Sequence, residues 1–154
     1  MHDRLERLES LGYPLDDVPA PGGLYKPVTV IDTIAYVSGA VPVAQGHLQF
    51  AGKVPSDLDL ATAQRAAALC AANNLRMACQ ALGSLDRIAR VLRLTGFVNS
   101  EPDFTNQHLV INGASELLRE VFGDSGIGAR SAVGVAQLPL GSAVETELIL
   151  EIRR

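Results

Sequence analysis

The segment Ala129-Arg130-Ser131-Ala132-Val133-Gly134-Val135-Ala136 is followed by Gln137-Leu138-Pro139 and then by Ala143-Val144-Glu145-Thr146-Glu147. Alternating apolar residues on either side of a Pro/Gly turn read as two strands. Arg130 opens the first strand, and a pair of glutamates sits early in the second. A guanidinium there is a planar fork of donors matched to a carboxylate. The same spacing also describes a surface arginine that ends a strand. In the second strand Glu145, Glu147, Ile149 and Glu151 share one face, and Val144, Thr146, Leu148, Leu150 and Ile152 the other. Glu147 and Glu151 fit a solvated face best, and Glu145 lies nearest the turn.

Three further positions combine a chemically useful side chain with an unusual setting. Tyr25 follows Gly22-Gly23 at the entry to a strand, where a phenol can close an apolar cleft or simply sit on a rim. Ser38-Gly39 ends the next strand, where glycine allows close approach of a ligand to the backbone. Asn112 stands in mid-helix against its propensity, so it caps a local bend or reaches into a polar site. Nucleophile elbows, HExxH zinc motifs and Walker loops are absent. Gly126-x-Gly128 precedes a strand and not a helix, and reads as turn glycine. His2, His47 and His108 are scattered, and His108 is expected to be exposed. Cys70 and Cys79 fall on opposite faces of one helix, cannot bridge there, and read as small core residues.

These residues must be positioned by one domain. The 154 residues are 47% apolar and 19% charged, with a net charge of −4, the profile of a globular chain. An acidic chain without a Lys/Arg cluster lacks the electrostatic footprint of nucleic-acid binding. The start lacks a signal-peptide core and the apolar stretches are too broken to span a bilayer, so a cytoplasmic protein with no membrane partner is expected. Leu5, Leu8 and Leu11 mark a short helix over 3–11, and residues 14–23 a loop. Strands follow at about 24–31, 33–39 and 47–50.

A long helix runs from an Asp59 N-cap to Gly83, with Thr62, Arg65, Asn73, Arg76 and Gln80 on one arc and Ala, Leu, Cys and Met around the rest. Another strand spans 88–98. Ser100-Glu101-Pro102-Asp103 has the form of a capping box and predicts the start of a second helix. Val110, Ala114, Leu117, Leu118 and Val121 form that helix's apolar stripe. The order β-β-β-α-β-α-β-β implies an α+β layer, a mixed sheet with two long helices on one face. Residues 1–22 add a helix and loop to a core of 23–154. The other sheet face needs cover, which copies of the chain would supply.

Taken in order, Tyr25, Val37-Ser38-Gly39-Ala40-Val41-Pro42, Gly96-Phe97-Val98, Asp103-Phe104, Asn112 and the Arg130-to-Glu147 segment resemble the Rid (RidA/YjgF) family over roughly 22–152. The N-terminal helix and Ile111-Asn112-Gly113-Ala114-Ser115 are similar to its longer branch of about 150 residues. The resemblance implies a chorismate-mutase-like fold and a homotrimer with clefts between subunits. It further implies hydrolysis of enamines and 2-imino acids to 2-keto acids and ammonia. Arg130 would hold the carboxylate and Glu145 would direct a water. Backbone near Ser38, Gly39 and Ala132 would hold the nitrogen, Tyr25 would shield the cleft, and Asn112 joins the binding set. No metal or organic cofactor is implied.

Many members carry a cysteine where this chain has Ala132 and an acidic residue where it has Gly134, so no thiol-dependent role is expected here. Two other readings stand beside deamination. One is a trimeric module that binds small carboxylates without turnover. The other is the family's older endoribonuclease or translation-inhibitor label, which the acidic charge disfavours. If the last two strands pair as a hairpin, Arg130 lies opposite residue ~150, about 15–20 Å from Glu145. A joint site would then draw the two residues from different subunits.

Overall fold

A computed structural model of the chain describes residues 3–154; His2 lies outside them. The elements are α1 (Arg4–Ser10), β1 (Val28–Ile31), β2 (Ile34–Ala40), β3 (Val43–Ala44), β4 (His47–Leu48), α2 (Leu60–Leu82), β5 (Ile88–Asn99), α3 (Gln107–Phe122), β6 (Ala129–Val135) and β7 (Val144–Ile152). They form the expected α+β mixed sheet, ordered β1-β2-β7-β5-β6, while β3 and β4 make a separate small hairpin. All neighbours in the large sheet are antiparallel except β5 and β6. The parallel pair is joined through α3, as a parallel connection requires a crossover. No helix among the described residues is long and apolar enough to cross a membrane.

α2 begins and ends where its sequence signals lie. The Asp59 carboxylate accepts the Thr62 amide at 2.8 Å, and Gly83 closes the helix at φ 85°. Its alanines at 63, 66, 67, 71, 72 and 78 are fully buried, so the helix lies close on the sheet. α3 crosses it at Gly113, where a Cβ would overlap the backbone of Gln64. Alanine at 113 would gain about 1 kcal/mol of helix propensity, yet overpacking between rigid helices costs about 1–3 kcal/mol. A bulkier Gly113→Leu is therefore expected to lower the urea midpoint by an amount equivalent to at least about 2 kcal/mol. An unchanged midpoint would mean that the helices separate freely.

Two sequence expectations fail here. The last two strands are not a hairpin, because β5 lies between them. The link from Ala136 to Ala143 passes over the end of β5 instead. Asn99 ties it there, its amide donating to Ala143 O at 2.9 Å and its Nδ2 to Ser142 O at 3.2 Å. Lys53 Nζ adds bonds to Asn99 Oδ1 and Ala136 O.

The second helix also starts later than the capping-box pattern predicts, at Gln107 after an Asn106 N-cap that makes no side-chain bond. Ser100 Oγ instead donates to Val98 O, and the Glu101 carboxylate accepts the Ser56 hydroxyl. The Glu101 amide also donates to Val54 O at 2.9 Å, which holds 100–101 against that segment, so the helix waits for the next turn.

α1 packs on the helical side, where Arg4 donates to the carbonyls of Leu85 and Ile88 and stacks over Phe122. The chain's own helices leave the opposite sheet face open. Ile31, Tyr36 and Val133 on that face are each more than two-fifths exposed. Cys70 is buried, Cys79 is partly buried against the core, and both are free thiols.

Candidate functional site

The sequence-predicted residues fall into two groups at separate places. The first lines a cleft of about 630 Å³ at the β2–β7 seam, formed by Tyr25, Ser38, Gly39 and Glu145, with Met77 and Leu140 as apolar walls. The seam is irregular: the β2–β7 register shifts between Val37 and Ala40. Ser38 and Gly39 therefore leave the regular ladder and line the cleft. A Cβ at Gly39 would overlap the Glu145 carboxylate, so only glycine there lets that side chain lie flat over the strand. Ser38 Oγ donates to Lys26 O at 2.7 Å, and the Tyr25 hydroxyl accepts the Gly22 amide at 3.1 Å. These bonds tie the N-terminal segment down as a wall.

Glu145 is half-buried. Burial, and secondarily the neighbouring carboxylate of Glu147, push its carboxyl above the ordinary carboxylate range. A carboxyl so placed is suited to accept and return a proton. The cleft also holds Glu147 but, among the described residues, no cationic side chain.

The second group lies on edge strand β6 and α3. Arg130 is level with Leu94 and, one strand further on, Leu148. It thus points to the helical face of the sheet, whereas Glu145 points to the open face. Its Nη1 donates to Asn112 Oδ1 at 2.8 Å and Ser115 Oγ at 3.1 Å, and its Nη2 to His108 O at 3.0 Å. Nε and one Nη2 hydrogen keep no partner among the described residues, which leaves one edge of the fork for a bidentate anion. Asn112 is therefore in mid-helix to orient an arginine. Ala132, two residues along β6, packs partly against the core and does not line the cleft. His108 is exposed, as expected.

Three residues offset along the strands and two strand spacings across put Arg130 and Glu145 roughly 14 Å apart at their α-carbons. The separation foreseen from a hairpin is real, although its cause is a strand interposed between β6 and β7.

Sequence reasoning missed the residues that shape the seam. Asn74, fully buried in α2, donates through Nδ2 to Ser38 O at 3.1 Å and Thr146 O at 3.0 Å, and its Oδ1 accepts the Thr146 hydroxyl at 2.6 Å. Asn73 Nδ2 likewise serves Val41 O and Val43 O. The signal was two consecutive poor helix formers in the middle of an alanine-rich buried helix. Asn74→Ala strands buried carbonyls and a hydroxyl. It is expected to cost about 3 kcal/mol in urea unfolding, and Asn74→Asp should cost at least as much. A cost near zero would show that the seam keeps its form unaided.

Fold and site together define the class. Residues 5–152 match the family described as "YjgF/chorismate_mutase-like, putative endoribonuclease", and the chain belongs to that family. It is 41% identical over 146 residues to Protein TCP17 of Trypanosoma cruzi, covering 94% of this chain and 91% of that one. Among solved structures, a protein of unknown function from Agrobacterium tumefaciens is 45% identical with a TM-score of 0.90, over 98% of this chain and 94% of its own. A protein from Shewanella oneidensis described as "a putative endoribonuclease" is 30% identical with a TM-score of 0.93, over 98% of this chain and all of its own.

Proposed function

We propose that the chain hydrolyses 2-imino acids and their enamine tautomers to 2-keto acids and ammonia, in clefts shared between subunits of a homotrimer. The observation that carries this reading is the complementary division of the site. One surface of the chain has an apolar-walled cleft with a half-buried carboxyl and, among the described residues, no cation. Another presents a guanidinium with one open edge. A 2-imino acid needs both, since two glutamates alone would repel its carboxylate. The open sheet face, with Ile31, Tyr36 and Val133 exposed, supplies the apolar surface that association would bury.

In this arrangement Arg130 of a neighbour binds the substrate carboxylate through Nε and Nη2 and fixes the C=N carbon over the cleft. Glu145 takes a proton from water as the oxygen adds to that carbon and passes it to the imine nitrogen, giving a neutral tetrahedral carbinolamine. Glu145 then carries the carbinolamine hydroxyl proton to the nitrogen as the C–N bond breaks, so that ammonia leaves and the C=O of the keto acid forms. Backbone groups of Ser38 and Gly39 hold the nitrogen, those of Ala132 join Arg130 at the edge strand, and Tyr25 limits water entry. The polarised C=N bond is already electrophilic, so these protein groups suffice.

The test is a coupled assay in which an amino-acid oxidase generates the 2-imino acid and keto-acid release is followed with and without the protein. Saturable acceleration supports the reading. Binding of 2-keto acids without acceleration supports the binding module instead. Cleavage of RNA by pure protein at a rate independent of Arg130 would favour the endoribonuclease label.

A further inference from the structure

The β3–β4 hairpin that gives Val43 and Gly46 to the cleft gives Ala44 and Gln45 to a second cavity of about 600 Å³. The N-terminal segment from Gly12 to Asp17 forms another wall and α2 its floor. Tyr13, Arg65 and Arg76 are among the hydrogen-bond donors that line this space. Arg65 and Arg76 lie eleven residues apart on α2, about three turns, and so present to the same side.

Arg76 is only 2% exposed. Its Nε donates to Pro14 O at 2.8 Å and its Nη1 to Asn73 Oδ1 at 2.7 Å; its Nη2 has no partner among the described residues. Arg65 stacks over the Phe50 ring at 5.6 Å and makes no ion pair among the described residues. Burial raises the Tyr13 phenol, against the pull of both guanidiniums, so it stays a neutral donor at pH 7. The one carboxylate in the cavity among the described residues, Asp17, accepts the Gln45 backbone amide at 3.0 Å and stands 3.9 Å from Arg76 Nη1.

Two guanidiniums and a phenol thus face one cavity with a single, already engaged counter-charge. A buried cation with unfilled donors is costly unless paired. Structural docking of the N-terminal segment explains Arg76 Nε and Nη1 but not Arg65, Tyr13 or Arg76 Nη2. We propose that this cavity binds a small organic anion, a carboxylate or phosphate ester whose apolar body lies against Phe50 and Leu69. It is separate from the proposed imine site and does not depend on it.

Calorimetric titration of the full chain in its native assembly with benzoate and with phenyl phosphate tests this. Saturable binding of either probe at millimolar concentration or below is expected. Arg65→Ala removes an exposed side chain and should not perturb folding; it should weaken binding by at least about tenfold. Tyr13→Phe should weaken it severalfold, and Arg130→Ala should leave it unchanged. Which probe binds tells carboxylate from phosphate. No saturable binding of either probe, binding indifferent to Arg65→Ala, or binding lost in Arg130→Ala would each overturn the proposal.

Discussion

Arg130→Ala is expected to reduce 2-imino acid hydrolysis by at least about a hundredfold while leaving the protein folded and associated. The size follows from what the guanidinium does. A bidentate charge-assisted pair fixes the substrate's carboxylate, and its loss forfeits both binding and orientation. Folding should be spared because Arg130 sits on an edge strand, and its partners Asn112, Ser115 and His108 O lie near the surface of α3. Arg130→Lys should recover little, since an ammonium cannot reproduce the fork. The informative control is a mixture. Arg130→Ala subunits refolded together with Glu145→Gln subunits should regain part of the activity, because some mixed interfaces join an intact Arg130 to an intact Glu145. If the mixture is as inactive as its parents while assembled, the two residues do not share a cleft across subunits.

Glu145→Gln should be comparably damaging to turnover but should leave keto-acid binding in place, which separates catalysis from capture. Its effect on stability has a definite sign. The carboxyl's pKa is raised in the folded protein, by burial first and Glu147 second. Between the ordinary carboxylate value and the raised one, the folded state binds more protons than the unfolded state. Stability therefore falls as pH rises through that window. Glutamine carries no charge to desolvate, so the variant should be more stable than the parent above the window and equal to it below. Denaturant midpoints across pH 4–8 measure this; a variant less stable at pH 8 would contradict the burial cause. In the parent, the acid limb of kcat/KM should report the same raised group. Glu147→Gln should move that limb downward by only part of the shift, because burial is the larger cause.

Much of this protein was legible in its sequence because the relevant physics is local. Asp59 and Gly83 bound α2 through capping and left-handed backbone, which need no tertiary partner. The apolar stripe of α3 and the apolar face of β7 follow from periods of 3.6 and 2, and both are buried as read. Arg130, Tyr25, Ser38 and Glu145 were visible as residue types in telling places.

Their grouping was not visible, because strand order is a long-range choice. Two strands adjacent in sequence read as a hairpin, but β5 lies between them, with Asn99 and Lys53 fastening the link across its end. That insertion places β5 between Arg130 and Glu145, whose separation along the strands was already expected. The capping box at Ser100 failed for the same reason, since its hydroxyl and carboxylate found other partners. The chain by itself determined the elements and the chemistry they carry. The tertiary structure decided which residues face one another, because pairing, burial and the seam held by Asn74 depend on contacts far apart in sequence.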